Sequence, residues 1–207
     1  MATGIYRPWG NRRSRPRDRG FPGRTTSSAT TDISNQGPCT MSTAFTFQLV
    51  LILATLLCSL VAGFLFAFAT VVMPGIKTLG DREFIRAFQV IDGVIQNNQP
   101  IMVAVWMGSI VAAVTAAGLG FGQLAGMQRL LLIAAPLIYI LGVQLSTFTI
   151  NVPLNNRLQA LNVDAMDAPA LKAARRNFEP GWNRWNLVRT PFASLASVLF
   201  MILLFSL

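Results

Sequence analysis

From Phe45 to Met73 the chain reads FTFQLVLILATLLCSLVAGFLFAFATVVM, without one charged residue. A run of this kind exceeds the ~20 apolar residues that carry a helix across a bilayer. In hydrocarbon a single such segment satisfies its backbone polar groups only by bonding to itself, so it has to be helical. Three further runs follow, from about Pro100 to Gly120, Leu130 to Ile150 and Leu187 to Leu207. Small residues recur in them: Ser59, Ala62 and Gly63 in the first, Gly108, Ala112 and Ala113 in the second, Ser194 and Ser197 in the fourth. Such residues let helix backbones approach closely in lipid. The expected fold is all-α, a bundle of four transmembrane helices spanning about 45–73, 100–120, 130–150 and 187–207.

The connections carry the polar residues. Pro74-Gly75 closes the first run, and DREFIRAFQVIDGVIQ (Asp81 to Gln96) then sets Phe84, Ile85, Phe88, Ile91 and Ile95 at helical spacing among charges. This predicts an amphipathic helix lying in the interface or folded back on the bundle. The longest polar connection, 151–187, should hold a short helix with Leu171, Lys172, Arg175 and Arg176, capped by Asp164 or Asp167. Residues 1–40, rich in Arg, Pro, Gly, Ser and Thr, show no sustained apolar periodicity, so a disordered basic tail is expected. An extension upstream of a start at Met41, a transit peptide and a native polybasic arm all fit that composition.

Charge is sparse, at 12% of residues, and the net +9 is divided between tail and body. That division points to anionic lipid headgroups and away from nucleic acid. With the tail set aside, nine Lys and Arg fall in the 74–99 and 151–189 region against Arg129 alone on the other side. Both long connections should then be cytoplasmic in a plasma (inner) membrane protein. The chain has no His, so the commonest general base and the commonest metal and haem ligand are missing. Cys39 in the tail and Cys58 inside an apolar run imply neither a disulfide nor a metal site. The spans hold no acidic residue and the chain no internal repeat, which speaks against a transporter.

Directly after the third run comes NVPLNNRL, Asn151 to Leu158. On a helix Gln144, Thr147, Phe148, Asn151 and Asn155 share one stripe, and Pro153 removes a hydrogen bond and crowds the carbonyl of Thr149. A kink or local opening is expected there, with Asn amides serving the freed backbone groups. At the mouth of the fourth run WNRWNLVR sets Trp182, Trp185, Asn186 and Arg189 on one face. Taken singly, these are interfacial anchors, helix caps and a snorkelling arginine. Taken together, they describe a pocket with aromatic walls, amide donors and one fixed positive charge, suited to a planar, mostly apolar molecule with carbonyl or phenolate oxygens.

NVPLNN, followed by WxxWNxxR and preceded by a first span ending in MPG, resembles the anthrone oxygenase family, which is also classed as a domain of unknown function. The matching residues are Pro74, Asn151, Pro153, Leu154, Asn155, Trp182, Trp185, Asn186 and Arg189, and the resemblance covers residues 45–207. It implies a small four-helix membrane protein and, in named members, oxidation of an anthrone to an anthraquinone by O₂ without a known cofactor. Where the family pattern has an asparagine, this chain has Asp92 in FQVID. On that reading Arg189, Asn151 and Asn155 stabilise an oxyanion, Asp92 is the candidate base, and Trp182, Trp185, Asn186 and Gln144 bind substrate. Asp92 also fits a solvated position on the polar side of the amphipathic helix. The implied partners are membrane lipids, a small aromatic substrate and O₂, with self-association left open. The contrasting expectation is a non-catalytic bundle whose Asn and Trp residues lock helices together or hold a lipid or small ligand.

Overall fold

The computed structural model describes residues 42–207, and the basic tail expected over 1–40 lies outside them. Among the described residues there are four long helices, one shorter one and a 3-10 turn at Val163–Ala165; the helices are α1 Thr43–Lys77, α2 Asp81–Gln96, α3 Pro100–Gly120, α4 Gly126–Gln159 and α5 Ala168–Phe205. All but α2 are long and apolar enough to cross a membrane, so the protein is a multi-pass integral membrane protein. Side chains seat three of the helix starts. Ser42 Oγ accepts from the Phe45 N–H, Gln99 Oε1 from Met102 and Asp167 Oδ1 from Ala170. Of the two acids considered for the last cap, Asp167 takes it, and Asp164 pairs with Arg86.

Three boundaries differ from the sequence expectation. The first run does not close at Pro74-Gly75 but continues as α1 through both to Lys77, because proline is tolerated behind the wide turn that precedes it. The third run does not stop at Ile150 but continues through NVPLNNRL to Gln159, and the fourth begins at Ala168 rather than near Leu187. The supposed short helix after Asp167 is the first part of a 38-residue rod. At 1.5 Å per residue α5 is roughly 57 Å long, far more than the ~30 Å of bilayer hydrocarbon. The surplus of α1, α4 and α5 therefore projects beyond the bilayer at one end, where α2 packs against it.

Two cores follow from this division. In the membrane portion α1 packs on α3 and α5, and α5 on α4, around Leu51, Leu65, Leu132, Tyr139, Phe200 and Leu203. Beyond it, Phe84, Ile85 and Phe88 of α2 join Leu158, Leu171, Phe178 and Trp182. The amphipathic face of α2 is thus buried against protein. Arg175 secures its start, donating to the carbonyls of Leu79 (2.9 Å) and Lys77 (2.8 Å) while its guanidinium lies 4.3 Å from the Phe84 ring centroid.

Among the described residues proline explains two of the three wide turns, the third being Ile140–Gln144 in α4. Pro74 follows Thr70 by four residues and Pro153 follows Thr149 by four. Just ahead of each, the helix widens to i→i+5 bonding: the Met73 N–H reaches the Phe68 carbonyl, and the Val152 N–H reaches that of Thr147. Widening relieves the clash between the ring and the carbonyl four residues back. Both threonines fold their hydroxyls back onto the previous turn, at 2.8 Å to Phe66 and 2.7 Å to Leu145. The kink or opening expected at Pro153 therefore takes the form of a wide turn over Thr147–Asn151.

Close helix approach falls partly on glycines other than those expected. Gly63 faces outward with nothing within 4 Å of a hypothetical Cβ, whereas a Cβ on Gly142 would stand 2.5 Å from the Phe192 ring. Gly142→Ala should therefore overpack the α4–α5 contact and cost about 1–3 kcal/mol. Thermal unfolding in detergent should show a lower midpoint for Gly142→Ala and an unchanged one for Gly63→Ala.

Candidate functional site

A cavity of about 220 Å³ lies where the wide turns of α1 and α4 face α2, α3 and α5. The wide turn Thr147–Asn151 contributes Thr147, Phe148 and Asn151 to its wall, and Phe68 comes from the corresponding turn of α1. Aromatic rings make up much of the remainder. Phe64 contacts Phe68 (centroids 4.7 Å apart) and stands edge-on to Trp106 at 6.3 Å; Trp182 meets Phe68 at 5.7 Å and Phe88 at 5.4 Å. Offset and edge contacts of this kind hold flat walls in place.

Arg189 is the cavity's one cation, 5% exposed, placed by α5 just inside its apolar part. Its Nε and Nη2 donate to Asn186 Oδ1 at 3.2 and 3.0 Å, and its Nη1 donates to Thr147 Oγ1 at 3.1 Å. The guanidinium carbon lies 5.5 Å from the Trp182 ring centroid, within cation–π range. Among the described residues no carboxylate comes within ion-pair distance of it. Three of the five guanidinium N–H groups are occupied, which leaves two for a ligand.

Asp92 enters the same cavity from α2. It is 4% exposed, so the solvated alternative for this residue does not describe the folded chain. Three amides hold it: Asn155 Nδ2 at 2.7 Å on Oδ1, with Gln96 Nε2 at 2.6 Å and Gln159 Nε2 at 3.0 Å on Oδ2. Asn155 also accepts the Trp182 Nε1–H at 2.8 Å, so a single side chain orients both the carboxylate and the indole.

The other residues singled out from sequence divide into three positions. Asn151, buried in the wall, donates weakly to the Trp182 carbonyl at 3.4 Å, and its Oδ1 has no partner. Asn186 stands behind the cavity, braced by a 3.2 Å bond to the Leu65 carbonyl, and acts through Arg189. Gln144 and Trp185 do not belong to the lining. Gln144 is buried one turn away, where its Oε1 accepts the Trp106 Nε1–H at 3.0 Å; Trp185 is half-buried elsewhere on α5. The walls credited to two tryptophans of one motif come instead from Trp182, Trp106 and phenylalanines of three other helices. Trp106 carried one usable signal, an indole deep inside an apolar span, away from the interfacial positions tryptophan favours.

The sequence model of a family described as anthrone oxygenase matches residues 96–199, half of the chain, with the seam from Asn151 to Arg189 inside the matched stretch. The chain belongs to the anthrone oxygenase family. The family match leaves Pro74 and Asp92 outside its bounds, and no curated protein or solved structure matches the chain. Among the described residues no group of three or more Cys, Asp or Glu gathers in a metal-binding cluster, and the chain has no His.

Asn155 is the hinge of the polar network. Asn155→Ala leaves the Trp182 indole N–H without its acceptor and Asp92 without one donor, and a buried unpaired group costs about 1–3 kcal/mol. The expected outcome is a lower unfolding midpoint together with a shifted tryptophan emission maximum, measured in the same detergent sample.

Proposed function

We propose that this membrane protein is a cofactor-independent oxygenase of anthrone-like or polycyclic phenolic substrates. The observation that carries the reading is Arg189: a buried cation with no carboxylate in contact and two N–H groups free, beside a slot walled by aromatic rings. A buried charge of this kind is costly and calls for an anionic or strongly polarised oxygen. Membership of the anthrone oxygenase family supplies the reaction class.

The chemistry assigns one task to each group. Asp92, fixed by its three amides, accepts a proton from the methylene carbon of an anthrone. The electrons move onto the carbonyl oxygen, where the Arg189 guanidinium stabilises the resulting enolate oxygen. The electron-rich ring carbon then reacts with O₂. In the balanced reaction the methylene loses two hydrogens and gains one oxygen to become a second carbonyl, and the other oxygen leaves as water. Asn151 Oδ1, the acceptor without a partner, fits a hydroxyl hydrogen on the substrate. Trp182 and Phe68 flank the ring system.

O₂ uptake by the purified protein with a model anthrone, set against the uncatalysed rate, tests this. Arg189→Lys keeps the charge but loses the planar fork, and kcat should drop by about 10²–10³ in protein that still folds in detergent. Folded protein that accelerates no anthrone would instead favour the non-catalytic, ligand-binding reading of the same cavity. The orientation belongs to the proposal as well: the end carrying α2 faces the cytoplasm of a plasma (inner) membrane. A Lys172→Cys variant in a Cys39→Ser background should then resist impermeant thiol reagents added to intact cells and react after lysis.

A further inference from the structure

The cavity is closed toward the aqueous end and open along the bilayer. On the aqueous side α2 lays Phe88, Asp92 and Ile95 over it. That cover is bonded down at several points: Gln89 Nε2 donates to the Leu158 carbonyl at 2.8 Å, Gln159 Nε2 to the Gln89 carbonyl at 2.9 Å, and Gln96 Nε2 to Asn156 at 3.2 Å. On the flank, three lining residues of the membrane-spanning helices are strongly exposed: Val103 (40%) and Met107 (43%) of α3 and Phe148 (49%) of α4. In a bilayer these apolar residues face lipid.

Beside this flank runs a second, larger hollow of about 510 Å³ between α2 and the start of α3. Val90, Val94, Ile101 and Val105 line it, and Phe64, Ile95 and Met102 border both it and the cavity, so the two spaces adjoin. The single polar residue in it, Gln99, has its oxygen committed to the cap of α3. We infer that the substrate is a bilayer-resident molecule, an oxygen-bearing aromatic ring with an aliphatic tail, whose ring slides sideways into the cavity while its tail lies in the α2–α3 groove. The inference rests on the reading of the cavity as the ring site. Such a molecule is neutral as it moves through lipid and acquires charge only beside Arg189, so transit and binding make compatible demands on it.

The full chain in phosphatidylcholine nanodiscs, kept anaerobic, allows the two ideas to be tested separately. Plain anthrone should quench tryptophan fluorescence in the wild type and not in Arg189→Ala, which reports the ring site alone. A 2-decyl anthrone with a diazirine at the end of its chain, irradiated and mapped by mass spectrometry, reports the tail. Adducts should concentrate on residues 90–105, should mostly vanish with excess plain anthrone or in Arg189→Ala, and should decline in Val94→Phe, which narrows the groove, adds no tryptophan and leaves quenching by plain anthrone unchanged. Adducts spread around the whole lipid-facing belt and indifferent to competition, with quenching intact, would overturn the tail groove and leave the ring site standing. Absence of quenching by anthrone would overturn the ring site, and the groove with it.

Discussion

A guanidinium inside an apolar bundle must be hydrogen-bonded by whatever surrounds it, because a buried charge without partners is costly. At Arg189 two neutral oxygens meet that demand, Asn186 Oδ1 and Thr147 Oγ1, and each needs its own support. Asn186 is anchored across the helix interface to the Leu65 carbonyl, and Thr147 stands at the start of a wide turn in α4. Three of the long helices thus converge on one charge. Packing there cannot be rearranged without stranding it, which ties the geometry of the bundle to the chemistry of the cavity.

The wide turns show how local covalent constraints reach that site. A proline inside a membrane helix removes one hydrogen bond and pushes on a carbonyl, and lipid offers no water to repair either. Both Pro74 and Pro153 are accommodated by a turn of larger radius directly upstream, with a threonine hydroxyl folded back onto the preceding turn. The residues in and around those turns, Phe68, Thr147, Phe148 and Asn151, are the ones displayed to the cavity. The irregularity that accommodates these two prolines therefore also presents polar and aromatic groups at that depth.

Much of this was legible in the sequence, and its gaps have physical causes. Uncharged runs longer than a bilayer is thick leave little choice of fold, and the TxxxP spacing around Pro153 marks an opening. Periodicity on one helix also brings Thr147, Asn151 and Asn155 together. It cannot say which side of a helix meets which neighbour, so Trp185, three residues from Trp182, was credited with a wall that Trp106 and the phenylalanines of α1 and α2 supply. Asp92 posed a related difficulty. A carboxylate on the polar edge of an amphipathic helix looks solvated until the end of α4, extended past its apolar run, places Asn155 and Gln159 over it. Helix ends were misjudged for the same reason: asparagines that resemble a terminus continue as helix when a partner surface waits beyond the bilayer.

With no carboxylate in contact with Arg189, the cavity distinguishes ligands by charge. In the empty site no carboxylate touches the guanidinium, Asp92 being held by its own three amides, and an anionic oxygen would supply the contacting partner. A neutral carbonyl product leaves the charge only partly satisfied. Attraction to the guanidinium is therefore strongest while a ligand bears charge and weakens once that charge is lost, so that under the proposed reaction holding an intermediate and releasing a finished molecule would be two consequences of the same arginine.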